Sequence, residues 1–320
     1  MKILSFGEVL VDLLSTEYQD DSNVSTEAFI KYAGGAPANV AVAAAKLGSQ
    51  SYFLGKVGKD GFGHFLIDSL KKHNVSTDFV SYSEHGKTAL AFIDLDAHGE
   101  RQFHFYDDNA AHNDFHLSDF DVSIFNSPML FHFCSGSLSR SHLKESVEYA
   151  LKQLKQSNAI ISLDINFRRA FWKELDNAAD IILQIAEQAN IVKASREELI
   201  ELYGIENVDS KVKHLIDAGV ALILITDGAE PISYYSKLFF GTFPSPKVDV
   251  VDTTAAGDSF IGGFLSKVAN DNDSLQSFEK WISDFETVLS TIAFASGCGA
   301  HTVAKFGAFE SLPYQEDITQ

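Results

Sequence analysis

Short apolar runs alternate with segments of helical period along most of the chain, which predicts parallel strands joined by crossover helices. Lys2–Phe6 and Ser51–Val57 are the first two runs. The denser Met129–Cys134, Ile160–Asp164, Ile191–Lys193 and Ala221–Thr226 follow, with the near-continuous apolarity of strands buried on both faces. Between them, Ala36–Leu47 reads as an Ala-rich helix closed by Gly48, and Phe62–His73, Arg140–Gln156, Ala178–Ala189 and Glu197–Leu202 read as further helices. The expected fold class is α/β, with three α/β/α layers around a mostly parallel central sheet.

One stretch departs from this rhythm. Thr88–Asp96 and Arg101–Tyr106 are strands separated only by Ala97-His98-Gly99-Glu100, which makes a hairpin with no helix between them. With residues around Leu13–Tyr32 it predicts a small sheet off the main body, a β lid formed by about 13–32 and 86–108 on a single 1–320 domain. Phe103 and Phe105 on one face suit either a hinged cover or a homodimer contact through sheet pairing.

The chain has 320 residues and is 45% hydrophobic, enough for a large core. Its formal charge of -19 repels nucleic acid and anionic membrane surfaces, while leaving room for a small anion bound at a helix start. Cys134 and Cys298 stand alone in apolar surroundings, as buried thiols of a reducing compartment do. The N-terminal run carries Glu8 and Asp12 and reads as a strand, not a signal peptide, so a cytoplasmic protein is expected.

The chemistry concentrates in Val248–Phe264, VDVVDTTAAGDSFIGGF, read as an apolar strand, a turn of small residues and an apolar helix. The first amides of such a helix lack partners and carry the positive end of its dipole, so Ala255, Ala256, Gly257 and Asp258 frame an anion site. Asp258 is then either a general base for an attacking hydroxyl or a helix cap. In Gly34-Gly35-Ala36-Pro37-Ala38-Asn39 a glycine pair turns into a helix, where Asn39 is either a ligand for a hydroxyl or a satisfied core amide. Asp12, inside an apolar segment, needs a partner or a ligand.

Together these elements resemble the ribokinase-like (PfkB) family of carbohydrate kinases over essentially the whole chain. The family's D-T-x-G-A-G-D signature is matched by Asp252-Thr253-Thr254-Ala255-Ala256-Gly257-Asp258, and its N-terminal signature by Gly34–Asn39. Gly55-x-Val57-Gly58-x-Asp60-x-x-Gly63, Asp164-x-Asn166-x-Arg168 and Glu197-Glu198 also match. The resemblance implies a ribokinase-like fold, ATP and Mg²⁺ as cofactors with K⁺ as a further candidate, and Asp258 as the base above an anion hole of residues 255–258. It implies that Asp12, Gly34, Gly35 and Asn39 bind the sugar, with Phe105 of the hairpin beside it. Asn166, Arg168 and Gly257 would serve the phosphates, Glu198 the metal, mostly through water, and Thr226, Asp227, Gly228 and Ser296 the adenine side.

The DINFRRAFW, AKFGAFESLP and GERQFHFY segments look most like those of fructokinases, which implies conversion of fructose to fructose 6-phosphate. The alternatives are a kinase for 2-keto-3-deoxygluconate, ribose or a nucleoside, and a catalytically weak sugar- or nucleotide-binding protein. The chain departs from the family pattern at Ala255, where the signature has glycine; if that position needs positive φ, the alanine strains the loop by about 1 kcal/mol or more. It departs also at Asp107 and His112 in the hairpin pattern, at Pro231 after the Thr226-Asp227-Gly228 turn, and at Ser195. Gly86-Lys87-Thr88 begins a strand and lacks the preceding glycine of a P-loop, and His112 with His116 lacks a third metal ligand.

Overall fold

A computed structural model of the protein describes residues 1–21, 24–95, 101–106, 108–172 and 177–318. The expected hairpin turn at 97–100 and Asp107 lie outside the described residues. The main sheet contains β1 (Lys2–Phe6), β4 (Ser51–Gly58), β5 (Ser76–Ser83), β8 (Met129–Cys134), β9 (Ile160–Asp164), β10 (Ile191–Ser195), β11 (Leu222–Asp227), β12 (Glu230–Tyr235) and β13 (Phe240–Phe243). A second sheet contains β2 (Leu10–Asp21), β3 (Val24–Gly34), β6 (Leu90–Leu95) and β7 (Arg101–Tyr106).

The main sheet runs β13-β12-β11-β10-β9-β8-β1-β4-β5, parallel from β11 to β5 with two antiparallel strands at the other edge. Helices cover both faces, and the alternation of each strand explains why. Leu4, Phe131, Ile161, Val192 and Ile223 point to one side, where α3 (Ser141–Gln156), α4 (Ala178–Ala186), α5 (Arg196–Tyr203) and α6 (Val208–Ala218) pack. Their neighbours Ile3, Leu130, Ile160, Ile191 and Leu222 point to the other, against α1 (Ala36–Lys46), α7 (Ala256–Asp271), α8 (Leu275–Trp281) and α9 (Phe285–Val303). Each of these fully buried aliphatic or aromatic side chains contributes roughly 1.5–3 kcal/mol.

The second sheet has the order β3-β2-β6-β7, so the expected hairpin pairs with the segment before α1. It is anchored at α2 (Gly61–Lys72). Asp60 caps that helix through Gly63 N at 2.8 Å, and its carboxylate also accepts from Thr88 N at 3.0 Å and Thr88 Oγ1 at 2.8 Å. The glycine-rich Gly55–Gly63 motif thus ties the start of α2 to the segment that enters β6.

One expected strand is absent. Val248–Val251 carries no strand pairing, and its valines are 42% to 63% exposed. The amides of Val251 and Asp252 instead both donate to Val303 O at the end of α9, at 2.7 and 3.1 Å, so the run is a tether to α9. The helix after it forms as expected and is wedged between two others. A Cβ at Gly262 would stand 2.6 Å from Ala43 Cβ on α1, and one at Gly263 would stand 2.8 Å from Cys298 Sγ on α9. Replacing Gly262 with valine is expected to lower unfolding free energy by about 3 kcal/mol, read as an earlier urea midpoint, because neither helix can move aside without dragging the core.

Candidate active site

The candidate residues gather at the carboxyl ends of the central strands, the usual place for ligands in an open α/β sheet. β1 leads into Glu8, β8 into Ser135 and Gly136, β9 ends at Asp164 and leads to Asn166, and β10 ends at Ser195. The start of α7 faces them. Asp252 shapes this start by accepting from Thr254 N at 2.8 Å and Gly307 N at 3.0 Å, while Ser259 Oγ donates to Cys298 O at 3.0 Å on α9. Ala255 is the residue that caps α7, with φ 60 and ψ 8 in the left-handed region. The amide of Ala256 donates to Thr253 O at 3.3 Å, outside the helix, and the first turn that follows carries the positive end of the helix dipole.

Asp258 lies in the first turn of α7 and is buried. It is not the cap; its carboxylate is held from two other directions. Asn39 Nδ2, on α1, donates to Oδ2 at 2.7 Å, and Asn166 Nδ2, after β9, donates to Oδ1 at 3.2 Å. Asn166 adopts φ 35 to do so. Burial raises the Asp258 pKa above the ordinary carboxylate range, opposed by Asn39, Lys193 and Arg168. Four expected residues, Asn39, Asn166, Arg168 and Glu198, thus converge on the carboxylate or its field.

Arg168 stands half-exposed at the rim, 3.8 Å from Glu198 Oε1. Glu198 also closes a capping box on α5: Ser195 N donates to its Oε2 at 2.9 Å, and Ser195 Oγ accepts from Glu198 N at 3.1 Å. Burial raises its pKa, with Lys193 opposing. Among the described residues no group of three or more His, Cys, Asp and Glu is placed to hold a metal ion. The acids present suit a divalent ion that keeps its waters and arrives with phosphates: Glu198, and Asp164, whose buried Oδ1 has no hydrogen-bond partner.

On the side of the second sheet, Asp12 Oδ2 occupies the space a side chain at Gly34 would need, which accounts for that glycine. Gly35 has φ 105, and a Cβ there would stand 2.8 Å from Glu8 O. Phe105 from β7 meets Phe171 edge-on at 5.0 Å, and Phe171 in turn lies against Gly136. At the other end, Thr226 and Asp227 finish β11, Gly228 turns with φ 57, and Arg196 Nε pairs with Asp227 Oδ2 at 3.0 Å. Ser296 is buried in α9 one turn before Gly299, which packs on Ala256 O.

Sequence reasoning missed three residues here: Glu8, Lys193 and Phe171. Glu8 interrupts the same apolar run as Asp12, and Lys193 interrupts a central strand, so the argument applied to Asp12 would have found both. Glu8 is buried against Gly136, and burial pushes its carboxyl up to about 7, with Asp258 adding to the effect and the amides of Glu8 and Ala36 and Arg168 opposing it.

Two outcomes follow. Ala255→Gly relieves a left-handed alanine and is expected to raise unfolding free energy by about 1 kcal/mol in urea titrations. The folded Glu8 carboxyl holds its proton above the unfolded value of 4.5, so its contribution to stability is full below that pH and lost as pH rises through about 7. Glu8→Gln should therefore stabilise the protein by an increment that is small at pH 4.5 and grows toward pH 8, as thermal unfolding across that range would record.

The chain matches the pfkB family carbohydrate kinases over residues 1–315. It is 41% identical over 318 residues to probable fructokinase-6, chloroplastic, of Arabidopsis thaliana, covering 99% of this chain and 81% of that one. Among solved structures, fructokinase with bound ATP from Xylella fastidiosa superposes with a TM-score of 0.91 at 37% identity, over 99% of this chain and 96% of that chain. Fructokinase from Vibrio cholerae O395, in its fructose, ADP and calcium ion bound form, superposes with a TM-score of 0.86 at 30% identity, over 99% and 97%. With the three-layer fold, the glycine-led α1 and the Asp258-bearing start of α7 all in place, this chain belongs to the pfkB family of carbohydrate kinases.

Proposed function

We propose that this chain is an ATP-dependent fructokinase that converts fructose to fructose 6-phosphate, with Asp258 as the general base. The observation that carries the reading is the placement of the Asp258 carboxylate: it sits in the first turn of α7, at the positive end of that helix, oriented by Asn39 and Asn166. In the proposed step the acceptor hydroxyl gives its proton to Asp258 as its oxygen bonds to the γ-phosphorus of ATP. The bond from that phosphorus to the β,γ-bridging oxygen breaks, and ADP leaves with the bond's electron pair.

The amides of residues 255–258 and Arg168 meet the negative charge on the phosphoryl oxygens. Magnesium, when bound, neutralises phosphate charge, with Glu198 and Asp164 as the side chains that hold its waters. Asp12, Gly34, Gly35 and Asn39 receive the sugar hydroxyls, while Phe105 and Phe171 form the apolar wall. Thr226, Asp227, Gly228 and Ser296 line the nucleotide side. The four-stranded sheet acts as the lid, and its outer aromatic strip of Phe29, Phe92 and Tyr106, with ring contacts of 5.4 and 5.2 Å, is where a second copy would pair. The buried free thiols Cys134 and Cys298 suit a reducing compartment such as the cytoplasm.

The test is a coupled ADP-release assay with Mg²⁺ and ATP against fructose, glucose, mannose, ribose, 2-keto-3-deoxygluconate and adenosine. Turnover on fructose above the others supports the reading; turnover on another member moves the substrate, and sugar binding without any ATP turnover overturns it. Asp258→Asn is expected to cut kcat by about 10²–10⁴ while sugar and nucleotide binding persist. Because the folded Asp258 pKa is raised, kcat/KM should begin to fall on acidification above the ordinary carboxylate range.

A further inference from the structure

Lys193 is a charged side chain to which the steps above give no task. It sits on β10 within the nine-stranded sheet with 3% of its side chain exposed, and its ammonium lies 2.9 Å from Asp164 Oδ2. The same nitrogen occupies the space beside Gly257, where a Cβ would stand 2.9 Å from it. A cation is therefore packed directly against the first turn of α7. Burial opposes its charge, but Asp164, Glu198 and Asp258 outweigh that and hold Lys193 protonated above the ordinary lysine range. Stability alone does not account for the pair, since a buried ion pair is often no better than apolar residues of the same volume.

We infer that Lys193 is a positioning residue for phosphoryl transfer, whose fixed charge beneath Gly257 adds to the amide dipoles at the start of α7. The inference rests on the kinase reading and goes beyond it. Lys193 acts through the Gly257 peptide and Asp258, on the side where negative charge accumulates as the phosphoryl group moves. Its loss should therefore be felt in kcat, not in ground-state binding.

Lys193→Met alone strands the Asp164 carboxylate in the core and risks misfolding. The decisive protein is Asp164→Asn with Lys193→Met, which removes both charges, compared with Asp164→Asn alone and the unaltered protein. All are assayed on whichever sugar the unaltered protein phosphorylates, so a failure of the fructose reading shows in that protein and leaves this comparison intact. The double variant should unfold at a temperature near that of the unaltered chain. It should bind sugar and ADP within about threefold of Asp164→Asn alone and lose about 100-fold in kcat relative to that single variant. The acid limb of kcat/KM, set by Asp258 in the field of Glu8, Asp164, Lys193, Glu198 and Arg168, should also move to higher pH. The inference is overturned if the double variant recovers kcat to within about fivefold, or if Asp164→Asn alone accounts for the whole loss.

Discussion

The Asp258 carboxylate is buried at the head of a helix, and the rest of the site is arranged around keeping it there. A lone buried carboxylate would take up a proton or move to water. Here, two amide donors from α1 and from the segment after β9 grip one oxygen each, at 2.7 and 3.2 Å. Those donors stand 219 and 92 residues before Asp258 in the chain. The contact therefore exists only once the sheet and the layer of α1 and α7 have packed together, which ties this local geometry to completion of the fold.

The same logic explains the glycines. Gly262 and Gly263 let α7 sink between α1 and α9, so the helix cannot slide or rotate and its first turn is fixed relative to Asn39. Gly34 leaves room for Asp12, and Gly35 takes a positive φ as the chain enters α1. Against this pattern stands Ala255, an alanine in a left-handed position at the head of α7. The fold pays about 1 kcal/mol for that residue and tolerates it because Asp252 clamps both Thr254 and Gly307, leaving the loop no cheaper path.

Charge is the second organising constraint. Glu8, Asp164, Glu198 and Asp258 are four carboxyls crowded at the strand ends, and burial raises the pKa of each. Lys193 and Arg168 are the cations in their field, one sealed beneath the sheet's end and the other at the rim. The cluster lies within a chain whose formal charge is -19. Global charge repels polyanions at long range, while a helix start and nearby cations act on an anion only at contact.

By itself, the sequence determined the layering, most strand and helix positions, the hairpin and the helix that carries Asp258. Periodicity and turn residues are local signals, and they survive tertiary packing where burial is two-sided. The Gly34–Asn39 and Asp252–Asp258 segments were likewise legible as a glycine-led helix entry and a helix start, because close backbone approach demands particular residue types at fixed spacing. Val248–Val251 misled because an apolar run says only that burial is favourable; its amides found Val303 O, a partner far along the chain. Only the tertiary structure decided that Asp258 is gripped by Asn39 and Asn166 and does not cap its helix. The same holds for Lys193 beneath Gly257 and for Glu8 in the charged cluster. Each of these depends on distances between residues remote in sequence, which no local pattern encodes.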